Sequence, residues 1–230
     1  MRTVDLPVID CPALPRERGR AHGEGLREAI TDKITRWRRA IPQAYGIDAE
    51  VFLPRFLEGT NFHKAIARHA PDLMEEIEGI AEGAGVAPET IYAMQLMDEE
   101  WWFGSAFGDG HCSSIAVAPG DGQTTLVAQT MDLPYWHDGA QALLRMDTAD
   151  GGELLVFTSA GMLGLLGVSG GGLAFASIPW LSFRRTQRAF PSRSPCAPRW
   201  PGQPWVMPHR FSRRRITRRD RLINWVIVLE

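Results

Sequence analysis

The hydrophobic period of this chain changes twice, and the changes divide it into stretches that cannot share one kind of structure. Between about residues 15 and 102 apolar residues recur at helical spacing. From Ser113 to Ala176 they come in short runs closed by tight turns, and from Arg184 to Arg221 no period survives. Leu26, Ile30, Ile34 and Trp37 recur at intervals of four, four and three, which predicts one amphipathic helix from Pro15 to Ile41. Further helices are expected over Ala49–Leu57, over Pro71–Gly83 with Leu73, Ile77 and Ile80 on one face, and over Pro88–Trp102. Glycines 83 and 85 punctuate the end of the third.

After Ser113 strands are expected at Ile115–Ala118, Thr124–Thr130, Ala142–Thr148, Glu153–Ser159, Leu163–Val168 and Leu173–Ala176. Ala149-Asp150-Gly151-Gly152 is a hairpin turn between two of them. A short extended segment, Val4–Ile9, precedes the first helix. Helices first and consecutive strands after predict an α+β layered domain.

The third stretch is of another kind. Between Arg184 and Arg221 stand 12 arginines and six prolines, and the chain after residue 183 holds only two acids, Asp220 and Glu230. The charge is therefore about +10 after residue 183, and with 13 basic against 25 acidic residues it is about −12 before it. Such a tail cannot bury enough apolar surface to offset its ordering entropy, so disorder is expected, with only Leu222–Leu229 able to form a helix or strand. Arginine-rich, lysine-free sequence that abruptly replaces a patterned core also looks like translation of a GC-rich gene in a shifted frame.

Other functions are narrowed by composition. With 230 residues, 44% of them hydrophobic, the chain has enough material for a real core. Its net charge of −2 gives no overall bias toward nucleic acid. Without a recognition helix or a zinc pattern, the basic tail is not read as a nucleic-acid binder, although non-specific contact with nucleic acid or an anionic surface is the alternative function it suggests. Cys11, Cys112 and Cys196 lack disulfide-framework spacing, and no paired Cys or His spacing points to a metal, so neither His111 nor His137 is taken as a ligand. No apolar signal segment or membrane-length run is present, which predicts a soluble, cytoplasmic protein.

One short motif carries chemistry. Gly110-His111-Cys112-Ser113-Ser114 runs straight into the apolar Ile115-Ala116-Val117-Ala118. A cysteine at the mouth of a strand can become both a nucleophile and, if the His111–Cys112 bond is cut, a new N-terminus. Its α-amino group, with an ordinary pKa near ~8, then serves as base for its own thiol. Pro119-Gly120-Asp121-Gly122 is a turn signature, and the returning strand brings Gln129 and Asp132 back toward Cys112.

Here the chain resembles the acyl-CoA:6-aminopenicillanate acyltransferase-like N-terminal-nucleophile hydrolases, relatives of choloylglycine hydrolase and acid ceramidase. The resemblance covers roughly residues 10 to 177. It rests on Arg18-Gly19-Arg20-Ala21-His22-Gly23-Glu24, Met97-Asp98-Glu99-Glu100-Trp101, the Cys112 motif, Ala128-Gln129-Thr130-Met131-Asp132 and the glycine-rich Gly161–Ala176. It implies an αββα sandwich in which Cys112 is freed by self-cleavage after His111 and attacks an amide or acyl thioester. Asp132 would be the carboxylate near the new amine, and Gln129 stands where some relatives carry a substrate-side arginine.

By the same resemblance residues 1–111 are the helical propeptide-like region, 112–177 the first strands of the core, and 178–230 a tail foreign to the fold. The family's oxyanion-hole asparagine would be expected near Ile178. No cofactor and no metal are expected, and the partner is a small-molecule substrate. The plainer readings are a small buried hydrophobe for Cys112, a turn residue for Asp132, an exposed-strand polar residue for Gln129, and helix-crossing packing for His22. Together with the basic tail they describe a noncatalytic fragment or binding protein.

Overall fold

The chain enters on a strand, β1 (Val8–Cys11), and passes through a helical region before its remaining strands. The helices are α1 (Pro15–Gly25), α2 (Arg27–Tyr45), α3 (Ala49–Glu58), α4 (Phe62–His69), α5 (Pro71–Ala84), α6 (Pro88–Met94) and α7 (Met97–Gly104). A hairpin of β2 (Ser113–Val117) and β3 (Leu126–Leu133) follows, then a 3-10 turn at Tyr135–His137. The last strands are β4 (Gln141–Asp147), β5 (Glu153–Ser159), β6 (Leu166–Ser169), β7 (Ala174–Phe175) and β8 (Ile223–Leu229). This computed structural model describes residues 6–60, 62–104, 113–117, 126–176 and 223–229. All of them belong to one unit that takes in Met1–Pro179 and Arg221–Glu230. The disorder expected between Arg184 and Arg221 concerns residues outside the described ones.

Two sheets form. One has the order β1-β4-β5-β6-β7, the other β2-β3-β8. Only the β1–β4 pair is parallel, with Val8 opposite Leu143; the remaining pairs are antiparallel. The β4–β5 register sets Leu144 against Val156 and Leu143 against Phe157, and this alternation gives the larger sheet two different faces. On one face Ala142 joins the core built by α2, α3, α5 and α6, while Leu144, Met146 and Val156 pack with Cys11. On the other, Phe157 and Leu166 meet Met131 and Leu133 of β3. The layers therefore run helices, five-stranded sheet, three-stranded sheet.

Four glycines set the helical layer. Gly19 and Gly23 of α1 face Gly79 and Gly83 of α5, and a Cβ on any of them would land on a backbone carbonyl of the other helix, those of Glu76, Ile80, Arg16 and Arg20. The two backbones touch because no side chain stands between them. Beside this crossing Arg18 gives two hydrogen bonds to Glu76 Oε2 at 2.9 and 2.6 Å, and Arg27 gives two to the Gly83 carbonyl at 3.0 and 2.8 Å.

The α+β reading holds in its coarse form, a mixed fold of helices followed by sheet, with several boundaries moved. The helix expected over Pro15–Ile41 is two. Leu26, at φ −119°, closes α1 by giving its N–H to the His22 carbonyl. Gly23 and Gly25 are weak helix formers just before this break. α2 then continues past Ile41, accommodates Pro42, and ends where Gly46 takes φ 68°. α4 was not expected: none of its residues is fully buried, and its apolar stripe, Phe62, Ala65 and Ile66, is only one turn long, with Phe62 and Ile66 packed against the core. Of the segment Leu222–Leu229, read as helix or strand within a tail foreign to the fold, Ile223–Leu229 is the strand β8, paired to β3 from Val127↔Leu229 to Leu133↔Ile223. Among the described residues no helix is long and apolar enough to cross a membrane.

Candidate functional site

The hairpin after the Cys112 motif is closed at its first residue. Ser113 lies opposite Thr130, and its backbone N–H donates to Thr130 Oγ1 at 3.0 Å. From there the pairing runs through Ser114↔Gln129 to Val117↔Leu126. Gln129 is buried and Asp132 half-buried, the latter two residues past Thr130 on β3. On its other side β3 sets Gln129 against Ile227 and Asp132 against Asn224. His111 and Cys112 lie outside the described residues, as does Ile178. Of the sequence-derived site residues, Gln129 and Asp132 thus share one strand.

A second polar constellation was not anticipated. Lys33 of α2, His137 of the 3-10 turn and Ser159 at the end of β5 converge in the core, at 2%, 1% and 0% exposure. Lys33 Nζ donates to the Ala160 carbonyl at 3.1 Å and lies 3.0 Å from Ser159 Oγ; His137 Nδ1 lies 2.8 Å from the same oxygen. His22, wholly buried, accepts the Gly161 N–H on Nε2 at 3.0 Å and so ties α1 to the turn after β5. Its setting goes beyond the helix-crossing packing the sequence suggested.

Burial sets the charges here. It holds the Lys33 amine well below its ordinary range, with the nearby Arg36 charge adding to the effect. Burial first, then the Lys33 charge, pushes His22 down to about 3 and lowers His137 strongly, Arg36 contributing to the latter. The Ser159 hydroxyl donates to one of its two basic neighbours and accepts from the other. A serine hydroxyl beside an amine and an imidazole has the neighbours of an activated nucleophile, but at this burial no substrate reaches it. The trio is a joint between α2, the 3-10 turn and β5. The signal that marks it in the sequence is Lys33 itself, three residues after Ile30 and four before Trp37, inside the apolar stripe.

Further along the same face of α2, Glu100 of α7 is buried and accepts two hydrogen bonds. Trp37 Nε1 donates to Oε2 at 2.8 Å and Tyr45 Oη to Oε1 at 3.1 Å. Burial pushes its carboxyl up to about 7 against the lowering effect of the two donors. Glu100 thus fastens α7, the helix leading toward residues 105–112, to α2. Phe103, the described aromatic of the Trp101–Phe103 run, packs on Phe52 and Phe56. Among the described residues no group of three or more His, Cys, Asp or Glu is placed to hold a metal ion.

No protein-family profile matches this chain, and no characterised protein matches it in sequence.

Proposed function

We propose that the chain is a self-processing cysteine hydrolase or acyltransferase of the N-terminal-nucleophile type, with an αββα architecture, acting on an amide or acyl thioester. The observation that carries this reading is the hairpin: the residue after Cys112 is fixed by its backbone and by Thr130, and the returning strand holds both Gln129 and Asp132. The helix, sheet, sheet order of layers supports the architecture.

In the proposed maturation the Cys112 thiol attacks the His111 carbonyl, the C–N bond breaks, and the acyl group moves to sulfur as the α-amine is released. Water then opens the thioester, leaving a carboxylate on His111. In turnover the free α-amine accepts the thiol proton, the thiolate attacks the substrate carbonyl, and the proton passes to the leaving group. Water or an amine takes the acyl group from sulfur. Asp132 orients the amine, and Gln129, buried on the same strand, is the substrate-side residue that the resemblance implies.

Intact-protein mass spectrometry tests this. Fragments of 111 and 119 residues are expected, absent in Cys112→Ala. A chain that stays whole at neutral pH removes the activity and favours a noncatalytic protein with a basic tail. A thiol probe gives a second readout, because Cys11 is buried and its thiol is pushed up to about 12, chiefly by burial, with Glu76 and Asp10 adding and Arg18 opposing. Fast labelling must then come from Cys112 or Cys196, which Cys112→Ala separates.

A further inference from the structure

The strand that follows residue 112 gains little from packing. All five residues of β2 are exposed, and none of them joins a hydrophobic cluster of the described residues. Its place is set by the ladder to β3 and by a side chain of that strand. Thr130, directly opposite Ser113, accepts the Ser113 N–H on Oγ1 at 3.0 Å, and its hydroxyl donates to the Ser113 carbonyl at 3.4 Å. Both backbone polar groups at the start of the strand thus meet one hydroxyl. Threonine suits the task, because branching at Cβ stiffens χ1 and keeps the oxygen in one place.

We propose that Thr130 is the anchor of the mature N-terminus, a positioning residue that holds Ser113, and through it Cys112, after self-cleavage. This role rests on the self-processing reading of Cys112, and it arises because cleavage changes how residue 112 is tethered. In the intact chain peptide bonds hold it from both sides. Once the His111–Cys112 bond is cut, Ser113 alone ties it to the protein, and a chain end frays unless something fixes it. A terminal residue that swings away takes both its thiol and its α-amine with it, and orientation lost at a reacting group costs rate. The N–H that Thr130 binds belongs to the one peptide bond that remains, the bond joining residues 112 and 113.

The test uses the full chain and two variants, Thr130→Val, which keeps the side-chain shape and loses the oxygen, and Thr130→Ser, which keeps the oxygen. Intact-protein mass spectrometry follows self-cleavage. A general aminopeptidase then reports how often the new chain end is free, through loss of Cys112 from the 119-residue fragment. Cleavage is expected at close to the wild-type rate in both variants, since the uncut chain holds residue 112 from two sides. Trimming is expected to run about threefold faster in Thr130→Val and near the wild-type rate in Thr130→Ser. Equal trimming of wild type and Thr130→Val, or Thr130→Ser trimmed as fast as Thr130→Val, overturns the anchor while the cleavage itself stands. Cleavage blocked in folded Thr130→Val puts the residue in the processing step and overturns the anchor as well. A wild-type chain that stays whole overturns the self-processing reading and the anchor with it.

Discussion

The regions on either side of residues 105–112 are held together in different ways. On the N-terminal side backbones touch through glycines, and side chains such as Lys33, Trp37 and His22 bond across elements that are distant in sequence. On the C-terminal side β2 is exposed at all five residues, Ile115 at 61%, and it is held by its pairing with β3 and one threonine side chain. The helical region is fixed by packing, the hairpin by register. A strand fixed by register can present its first residue at a defined height while staying open to solvent, which suits the role proposed for Cys112.

The contrast breaks most visibly at the helix crossing. Gly79→Ala puts a methyl group on the Arg16 carbonyl, and an overpacking cost of about 3 kcal/mol is expected in urea unfolding. Gly172→Ala, at φ 83° with open space around it, should cost only about 1 kcal/mol. Similar losses at the two sites would show that the crossing is looser than its geometry.

Lys33 gives the next effect. Because its folded pKa is depressed, the unfolded chain binds the extra proton, so stability must rise with pH up to the unfolded value. A slope of about 1.4 kcal/mol per pH unit is expected toward pH ~10.4. Lys33→Met should flatten the curve between about pH 8 and 10, read by denaturation at each pH. The depressed histidines extend the trend downward, with stability lost as pH falls below ~6.5 toward the His22 value of about 3.

Glu100 works in the opposite sense. Its raised pKa contributes stability that is present below the unfolded value of ~4.3 and lost as pH rises through about 7. Subtracting the Glu100→Gln curve from wild type should expose a fall of about 3 kcal/mol across that window. Trp37 fluorescence reports whether the tie to α2 persists. The smallest change is Thr130→Val, which removes the acceptor of the Ser113 N–H. A cost near ~0.5 kcal/mol is expected, with faster amide exchange at Ser113 and little change in α2 or α5. Exchange that rises equally in the helices would erase the distinction between the two regions.

Local features were legible in the sequence. The run from Glu153 to Ser159 is a strand with the expected bounds because apolar residues fill it and a glycine turn precedes it. The long first helix was misjudged because Leu26, at the break between α1 and α2, continues the apolar spacing. Lys33, His137 and Ser159 were not legible as a set. Their partnership spans as many as 126 residues, and a lysine is by default a surface residue. Gln129 was placed on a returning strand by the turn signature before it, and Asp132 just past that strand's expected end at Thr130; β3 runs on to Leu133 and holds both. The late apolar run that forms β8 was legible as helix or strand, but its pairing with β3 was not, because it was read as part of a tail foreign to the fold.

The parallel edge strand sets the order in which this protein acquires its shape. β1 finds its partner β4 only across a sequence separation of 135, the span bridged by Arg145 and Asp10. The glycine-lined helices lie wholly inside that loop and need nothing beyond residue 84 to nest against each other. A chain emerging from the ribosome can therefore assemble its helices first and add the edge strand only once β4 has followed. Its slowest folding step is then the closure of that loop, a delay set by topology and not by the strength of any single contact.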